Sequence, residues 1–373
     1  MTAPVPDPET LTAPVSLSLS ATRPRWWHWL GAGCLSLGLP AFGLEWWLAA
    51  PTYPGPISDH FDGAVFSNLA PFPPRNPMDL LRWRLSSDSK PWPEWVPLAP
   101  GRRVPPKRSH SLRITFINHA TTLIQLDGIN LLTDPVYSER VGPFGWLGPA
   151  RHQAPGVPFE ALPPIDAVLV SHSHYDHMDL ATIARLQERD QPIVMAGLGT
   201  RGLFQKQGLP HARLVELDWW QTHPVRGVQI TFTPAQHWSA RALRDRRRML
   251  WGSFMVSGVR QQAYFAGDTG AGPHFKLIRD RLGQPDVALL PIGAYEPRWF
   301  MKPQHLNPDD AVEAHRALAA ESSIGIHWGT FKLSGEGLRQ PVDDLRKACQ
   351  ARGISPTSFR VLEHGEGLSW APR

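Results

Sequence analysis

The chain has 373 residues, of which 42% are hydrophobic and 19% are charged, and its formal net charge is +5. This composition allows one large domain or two, with a sizeable core. Cys34 and Cys349 are the only cysteines, which excludes a disulfide framework and a thiolate metal site. No long basic run with interleaved aromatics is present, so nucleic acid is not an expected partner. The positive charge and the 16 tryptophans are compatible with an anionic membrane surface.

The N-terminal region has the pattern of a disordered tail followed by a membrane anchor. Residues 1–22 are rich in Pro, Thr, Ser and Ala. From Trp29 to Ala50 runs an apolar stretch with tryptophans at both ends and arginines before it. It is as long as the roughly 20 residues of a crossing helix, although Pro40 and Glu45 interrupt it. A signal peptide and an amphipathic element packed on the domain are the alternatives. The preceding charge predicts an inner-membrane anchor with the main domain outside the cytoplasm.

Residues 52–111 are dense in Pro and Trp and predict an arm that packs on the main domain, residues 112–373. The first predicted strands of that domain are 112–117, 122–126 and 129–135, with Asp127-Gly128 as a hairpin turn. Further strands are predicted at 165–170, 193–196, 213–217, 228–233, 251–257, 262–265, 287–292 and 323–329. Helices are predicted at 180–189, before Gly208, and at 273–282, 308–320 and 342–351, with Asn307 as an N-cap.

A dense group of potential metal ligands directly follows the predicted strand 165–170. His172, His174, Asp176 and His177 fall within six positions, and such nitrogen and carboxylate ligands suit zinc. Residues 172 and 174 point the same way on an extended turn, and the next turn directs Asp176 and His177 elsewhere. The stretch therefore predicts the start of two adjacent metal sites, with a solvated histidine-rich loop as the alternative. Four ligands cannot complete two sites, so further ligands are required downstream.

Later strand ends supply further ligands of the same type. His237 follows strand 228–233, Asp268 follows strand 262–265, and His327 lies near the end of strand 323–329. Each of them alone would be better interpreted as a core or capping residue. Their shared position at strand ends predicts one site, in which seven His and Asp side chains hold two zinc ions and one carboxylate bridges them.

Several segments around these ligands carry a resemblance to a known family. They are Asn118-His119-Ala120-Thr121-Thr122, the His172 to His177 motif with Tyr175, Phe265-Ala266-Gly267-Asp268-Thr269-Gly270, Pro291-Ile292-Gly293-Ala294-Tyr295-Glu296-Pro297-Arg298-Trp299-Phe300-Met301 with Gln304-His305, and Ile326-His327-Trp328-Gly329-Thr330-Phe331. Together they resemble the N-acylphosphatidylethanolamine-hydrolysing phospholipase D family of the metallo-β-lactamase superfamily. The resemblance extends from Pro54 to the C-terminus.

The resemblance implies an α/β (α+β) fold, the metallo-β-lactamase αββα sandwich, in which two mixed β-sheets are flanked by helices. It implies that His172, His174 and His237 hold one zinc ion, that Asp176, His177 and His327 hold the other, and that Asp268 bridges them. It also implies that His305 lies near the substrate phosphate, so that Asp176, Asp268 and His305 are the expected catalytic residues.

The implied activity is that of a zinc-dependent phosphodiesterase of phospholipase D type. Its substrate would be N-acylphosphatidylethanolamine or a related membrane phospholipid, and its products N-acylethanolamine and phosphatidic acid. The expected partners are therefore a phospholipid and a membrane surface. The sequence does not decide whether the chain forms a homodimer. Arg241, Arg244 and Arg246 to Arg248 form a basic loop after His237, which either favours anionic lipid surfaces or is simply solvated.

Three other functions share much of this pattern. Another binuclear metallohydrolase, such as a lactonase or a different phosphodiesterase, would have the same metal ligands. A membrane-bound lipid-binding protein with a structural metal belongs to another class, although a full ligand set without a catalytic use is not expected there. A redox iron site is the weakest alternative, and a colourless protein would argue against it.

Overall fold

The structure is a computed structural model that describes residues 43–72, 77–86, 89–99, 104–209 and 211–372. The predicted disordered tail, and the predicted anchor as far as residue 42, lie outside these described residues. Within the described part, none of the helices combines the length and the apolar character needed to cross a bilayer.

Two seven-stranded mixed sheets form the centre of the domain. The first has the strand order β14-β1-β2-β3-β4-β5-β6. Its strands are β1 (Arg113–Asn118), β2 (Thr121–Leu126), β3 (Ile129–Thr133), β4 (Ala167–Leu169), β5 (Ile193–Gly197), β6 (Leu214–Leu217) and β14 (Gly367–Ser369). Strands β14 to β3 pair antiparallel and strands β3 to β6 pair parallel. The predicted turn at Asp127-Gly128 joins β2 and β3, which pair antiparallel, and both of its residues have positive φ. The predicted hairpin is therefore confirmed.

The second sheet has the order β13-β12-β11-β10-β9-β8-β7. Its strands are β7 (Thr222–Val225), β8 (Val228–Thr233), β9 (Ser253–Ser257), β10 (Gln262–Phe265), β11 (Val287–Pro291), β12 (Ser322–Ile326) and β13 (Phe359–Val361). Strands β7 to β10 are antiparallel, and β10 to β13 are parallel. The ends of β4, β8, β10 and β12 are the positions from which the predicted ligands follow.

Besides a helical stretch at 43–48, seven α-helices accompany the sheets in the described residues. They are α1 (Pro77–Ser86), α2 (Leu180–Arg189), α3 (Thr200–Lys206), α4 (His274–Leu282), α5 (Arg298–Met301), α6 (Pro308–Leu318) and α7 (Gln340–Ala351). The predicted N-cap Asn307 is confirmed, since its side chain accepts a hydrogen bond from the backbone of Asp310 and the Asp310 side chain accepts one in return. Asp179 caps α2 in the same way, accepting from Ala181 and Thr182.

The core explains the layered arrangement. Phe116 and Ile124 of the first sheet share one large apolar cluster with the second sheet and with α4, α6 and α7. Their neighbours Ile117 and Leu123 point to the opposite face and pack with α2 and α3. Both faces of the first sheet are thus buried, and the fold is an αββα sandwich of two mixed sheets flanked by helices, as the resemblance implies.

The structure adds elements that the sequence-based prediction did not contain. These are β7, β13 and β14 at sheet edges, α1 within the Pro/Trp-rich segment 52–111, and the short α5. Phe61 and Phe66 of that segment are buried in the main core. The strand predicted at 323–329 ends at Ile326, so His327 lies just beyond it and has a positive φ of 63°.

Candidate metal centre

Three histidines from two sheets converge at the first predicted metal position. His172 and His174 follow β4, and His237 follows β8 of the other sheet. The Nδ1 atom of His174 lies 2.8 Å from Nε2 of His172 and 3.3 Å from Nε2 of His237. All three rings are within the spacing that one metal ion can bridge. The geometry therefore brings together the three histidines that the resemblance assigns to one metal ion.

A second group forms around the carboxylate of Asp176. Its Oδ2 atom lies 3.4 Å from Nε2 of His177 and 3.6 Å from Nε2 of His327, the two partners expected from the sequence. A fourth side chain, His119, is closer still, with its Nε2 atom 3.0 Å from the same oxygen. His119 lies in the β1–β2 turn with a φ of 45°, and its N–H donates to Oγ1 of Thr330.

Sequence reasoning did not include His119 among the site residues. It appears there only within the segment 118–122 that supports the family resemblance. A signal was present, because this histidine follows β1 just as the other ligands follow their strands. A single histidine is nevertheless more often a structural residue, and only the fold places it beside Asp176.

Asp268 lies between the two groups. Its Oδ2 atom is 3.2 Å from Nε2 of His177 and 3.8 Å from Nε2 of His237, and its Oδ1 atom is 3.1 Å from Nε2 of His327. The side chain thus contacts members of both groups, which is the position required of the predicted bridging carboxylate. Nδ1 of His305 lies 3.7 Å from Oδ2 of Asp268, so the predicted substrate-side histidine is also present at this place.

A buried carboxylate behind the ligands orients both groups. Asp134 accepts hydrogen bonds through Oδ2 from Nδ1–H of His177 at 2.6 Å and from the Ser171 hydroxyl at 2.6 Å. That hydroxyl can in turn accept from Nδ1–H of His172 at 2.9 Å. Each imidazole then presents its Nε2 lone pair to the site, a function that outer carboxylates commonly have in metal sites. Asp134 follows β3 and was not among the predicted site residues.

Burial and mutual charge dominate the electrostatics of the site. Burial alone would raise the pKa of Asp268, but His177 and His327 hold it well below its usual range. Burial lowers the pKa of His172 well below its ordinary value, and nearby histidines add to this effect. For His327 burial acts in the same direction, but the carboxylates of Asp268 and Asp176 outweigh it and raise the pKa to about 9.

The donor atoms of the site fit a metal ion. Four of them are buried and have no hydrogen-bond partner: Nε2 of His177, Oδ1 of Asp268, Nδ1 of His305 and Nε2 of His327. An unpaired buried polar atom is costly, so this many at one place indicates an absent partner. Imidazole nitrogens and carboxylate oxygens are ligands of zinc and of several other transition metals. The described cysteine, Cys349, lies on α7 and outside these groups.

The segment after β11 carries His305 into the site. The His305 N–H donates to the carbonyl of Met301 at the end of α5, and the Arg298 guanidinium donates to the His305 carbonyl at 2.9 Å. The buried carboxylate of Glu336 accepts from the backbone N–H groups of Ala294 and Glu296 and fixes the start of the segment. The backbone of His305 is therefore held by α5, and Glu336 fixes the chain that leads into α5.

Arg241 supports the ligand turn from the opposite side. Its guanidinium donates to the carbonyls of Ser173 and Met178 and lies 3.9 Å from the ring of Tyr175. At least this arginine of the predicted basic loop is therefore a packed residue rather than a solvated one.

Comparison with known proteins identifies the family. Residues 129–328 match the beta-lactamase superfamily domain, and this range contains every candidate metal ligand named above except His119. The chain belongs to the metallo-β-lactamase superfamily. It is 39% identical over 263 residues to N-acyl-phosphatidylethanolamine-hydrolyzing phospholipase D 1 of Caenorhabditis elegans, which covers 68% of this chain and 74% of that protein. The mitochondrial N-acyl-phosphatidylethanolamine-hydrolyzing phospholipase D of Saccharomyces cerevisiae is 34% identical over 252 residues, 66% of this chain and 53% of that protein.

Solved structures agree on the fold. Igni18, a metallo hydrolase from the archaeon Ignicoccus hospitalis, superimposes with a TM-score of 0.54 at 19% identity, covering 70% of this chain and 100% of that one. At this identity the likeness concerns the fold alone. This superfamily member is a metal-dependent hydrolase, because it matches the family and because its His and Asp side chains form groups that can hold metal ions.

Proposed function

We propose that this superfamily member is a phosphodiesterase of phospholipase D type that hydrolyses N-acylphosphatidylethanolamine or a closely related phospholipid. The observation that supports the reaction class is Asp268, whose two oxygens contact histidines of both ligand groups. The lipid substrate is supported by the 39% identity to the phospholipase D of C. elegans. Water would add to phosphorus, the bond to the ethanolamine oxygen would break, and N-acylethanolamine would leave as the protonated alcohol beside phosphatidic acid.

The chain's own side chains divide into holders of metal and a substrate-facing group. His172, His174 and His237 would hold one zinc ion, and Asp176, His177 and His327 the other, with Asp268 between them and His119 as an additional neighbour of Asp176. Two such ions would supply positive charge and Lewis acidity for a phosphodiester. Asp134 keeps His177 and, through Ser171, His172 in one orientation.

His305 is the side chain proposed to act on the substrate. Burial lowers its pKa to about 4, so the ring is neutral near pH 7 and can donate one N–H to a phosphate oxygen. If the ring took up the proton released by the attacking water, its place beside Asp268 would allow it to pass that proton to the leaving alkoxide and return to the neutral form. Groups in this position usually contribute about 100- to 10,000-fold to a rate.

The deciding experiment is product analysis by mass spectrometry. Detergent-solubilised protein is incubated with N-acylphosphatidylethanolamine, with and without a chelator, and with phosphatidylethanolamine as the matched lipid without the N-acyl chain. We expect chelator-sensitive release of N-acylethanolamine and phosphatidic acid. If protein shown to hold two zinc ions releases neither product, the lipid assignment is wrong. A panel of phosphodiesters and lactones would then identify which other hydrolase of the superfamily it is.

We also propose that the apolar stretch that begins at Trp29 anchors the chain in an inner membrane, with the main domain outside the cytoplasm, although its last residues, Ala49 and Ala50, are buried against that domain. The support is the sequence pattern alone, namely tryptophans at both ends and arginines on the N-terminal side. Protease added to intact spheroplasts should degrade the domain. A domain that stays intact in intact spheroplasts, but is degraded at the same protease dose after lysis, would show that it lies inside and would refute this orientation.

A further inference from the structure

An exposed aromatic loop lies in the segment 141–149 between β3 and β4. Its base is closed by a hydrogen bond from the Val141 N–H to the Pro149 carbonyl. The base is tight, because a Cβ atom at position 148 would lie 2.3 Å from the carbonyl oxygen of Val141. Gly148 also has a φ of +88°, which favours glycine. At the tip the rings of Phe144 and Trp146 stack at 5.9 Å, and Trp146 is 67% exposed. The loop therefore displays aromatic side chains to the solvent from a well-defined base.

This loop borders the metal-ligand segment. A cavity of about 190 Å³ separates them, with Trp47 and Phe144 among its lining residues together with Tyr175 and Met178. Trp47 stacks on Phe144 with ring centroids 5.5 Å apart. Because Tyr175 stands between His174 and Asp176 in the sequence, the exposed rings lie beside the candidate metal centre and not at the remote end of the sandwich.

The basic segment 238–248 displays a further apolar side chain next to the site. Leu243 is 91% exposed and stands between Arg241 and Arg244. The segment is tied to the centre through Trp238, whose ring contacts the His174 ring at 4.4 Å and lies under the guanidinium of Arg246 at 4.2 Å.

Helix α1 contributes a third exposed apolar surface. Leu81 and Leu85, four residues apart on one face, are 49% and 79% exposed. Trp83 of the same helix stacks on Phe300 of α5 at 5.2 Å, and α5 leads directly to His305. We name the exposed side chains of the three elements the apolar rim: Trp47, Leu81, Leu85, Phe144, Trp146 and Leu243.

We propose that the apolar rim docks the enzyme on the surface of an anionic phospholipid bilayer. Exposed apolar side chains grouped around a site mark an interaction surface, and tryptophan favours the boundary of a bilayer. The segments 137–148 and 238–248 carry six arginines, of which Arg241 is packed against Tyr175, and two acidic residues, of which Asp245 is buried. Cations beside interfacial apolar groups suit anionic lipid headgroups.

Charge also decides between a bilayer and a second copy of the chain. In a two-fold symmetric interface these two basic segments would meet a surface of the same charge on the other copy. Anionic headgroups would instead neutralise them. The inference rests on the proposed phospholipid substrate, because the bilayer is the surface that would present it.

Vesicle binding of the full chain tests the proposal without requiring turnover. Vesicles of phosphatidylcholine, with and without phosphatidylglycerol, are pelleted with the wild-type chain, with Phe144→Ser/Trp146→Ser and with Leu243→Ser. We expect the double variant to bind the anionic vesicles roughly tenfold more weakly. Arg244→Gln should weaken binding about fivefold on anionic vesicles and leave neutral ones unchanged. Any contribution of residues 1–50 is the same in every variant.

A matched control lies at the opposite end of the sandwich. Val259 is 86% exposed in the turn between β9 and β10, whereas Asp268 follows the other end of β10. Val259→Ser should bind as the wild type does. Hydrogen exchange with vesicles present should protect residues 141–149 and 238–248 and leave the Val259 turn unchanged. Unchanged binding by the rim variants, or equal protection at both ends, would overturn the proposal.

Two further readouts separate this inference from the proposed function. Hydrolysis of soluble bis(p-nitrophenyl) phosphate should be the same for the rim variants and the wild type. Docking without release of N-acylethanolamine would retain the bilayer surface and refute the lipid substrate. Release of N-acylethanolamine from lipid in detergent micelles, without binding to vesicles, would support the lipid substrate and refute the bilayer surface. If the rim variants convert a dimer to a monomer in sedimentation and bind vesicles normally, the occupant of the rim is a second copy.

Discussion

Among single residues, Asp134 has the largest influence on the metal centre without facing it. Its carboxylate accepts from His177 and from Ser171, which in turn contacts His172. One side chain thus sets the ring orientation of a ligand in each of the two groups. A carboxylate in this place also makes the imidazoles that it contacts better metal ligands.

Asp134→Asn should therefore weaken metal binding more than it weakens the fold. Asp134 accepts a third hydrogen bond, from the Ser171 backbone N–H to Oδ1 at 2.7 Å, so in either orientation the asparagine N–H group would face at least one donor and lose that bond. We expect metal affinity to fall about 10- to 100-fold, measured as metal retained during dialysis against graded chelator. Asp127→Asn, in the β2–β3 turn at the remote end of the sheet, is the control. Equal metal retention by both variants would contradict this account of Asp134.

His305 is a residue whose loss should separate chemistry from metal binding. Its Nδ1 atom is 3.7 Å from Asp268 and it belongs to neither of the two groups that contain His174 and Asp176. His305→Ala is expected to keep both metals and to lose about 100-fold or more of the turnover. Metal analysis and turnover measured on the same preparation test this. Unchanged turnover would remove His305 from the mechanism.

At the scale of secondary-structure elements, the contact between the segment 52–72 and the loop that joins β6 to β7 contains a histidine whose pKa is shifted. The ring nitrogens of His60 lie 2.5 Å from Oδ1 of Asp59 and 2.7 Å from Oδ1 of Asp218. The ring also stacks on Trp219 at 4.4 Å. Burial alone would lower the pKa of His60, but the hydrogen bonds to Asp218 and Asp59 outweigh it and leave the pKa raised. A carboxylate on each nitrogen requires both N–H groups, that is, the charged ring.

This contact makes stability depend on pH in a defined direction. Because the pKa of His60 is raised in the folded state, its contribution is fully present below the ordinary value near 6.5. It is lost as the pH rises through the folded-state pKa. The urea midpoint of the wild type should therefore fall more than that of His60→Gln between about pH 6 and about pH 9. Equal falls in both proteins would show that the histidine does not titrate with folding.

The elements also show how much the sequence determines. Strands with alternating apolar residues, such as Val228–Thr233, and a helix with a capping aspartate, Leu180–Arg189, have the predicted bounds. The edge strands β7 and β14 have little apolar periodicity, and β7 contains Pro224, so their pairing depends on neighbours that only the fold supplies. Helix α1 exposes its leucines and contacts the domain through Trp83, the reverse of an amphipathic pattern.

For the candidate site, local sequence was sufficient where a ligand followed a strong strand signal. His237, Asp268 and His327 follow buried strands of the second sheet, so their convergence with the His172 group could be predicted. His119 and Asp134 required the fold, because each is a single polar residue whose partner is 57 or 43 positions away in the chain. The distances between the groups are a property of sheet packing and were not predictable from spacing.

For the whole molecule, the candidate metal centre joins the two sheets. Asp176 and His177 follow a strand of the first sheet, whereas Asp268 and His327 follow strands of the second. Without metal, the site contains several buried donor atoms that lack partners. Metal binding thus links the two sheets and satisfies these atoms at once.

Removing metal should therefore lower the stability of the entire sandwich. A ligand that binds only the folded state at about 1,000 times its dissociation constant adds roughly 4 kcal/mol to the free energy of unfolding. Calorimetry of the chelated protein should give a lower melting temperature, which restoring zinc reverses. His172→Ala should show a smaller shift between the two conditions because it removes one ligand. A melting temperature that is identical with and without metal would mean that the sheets are held by their apolar core alone and that the centre does not link them.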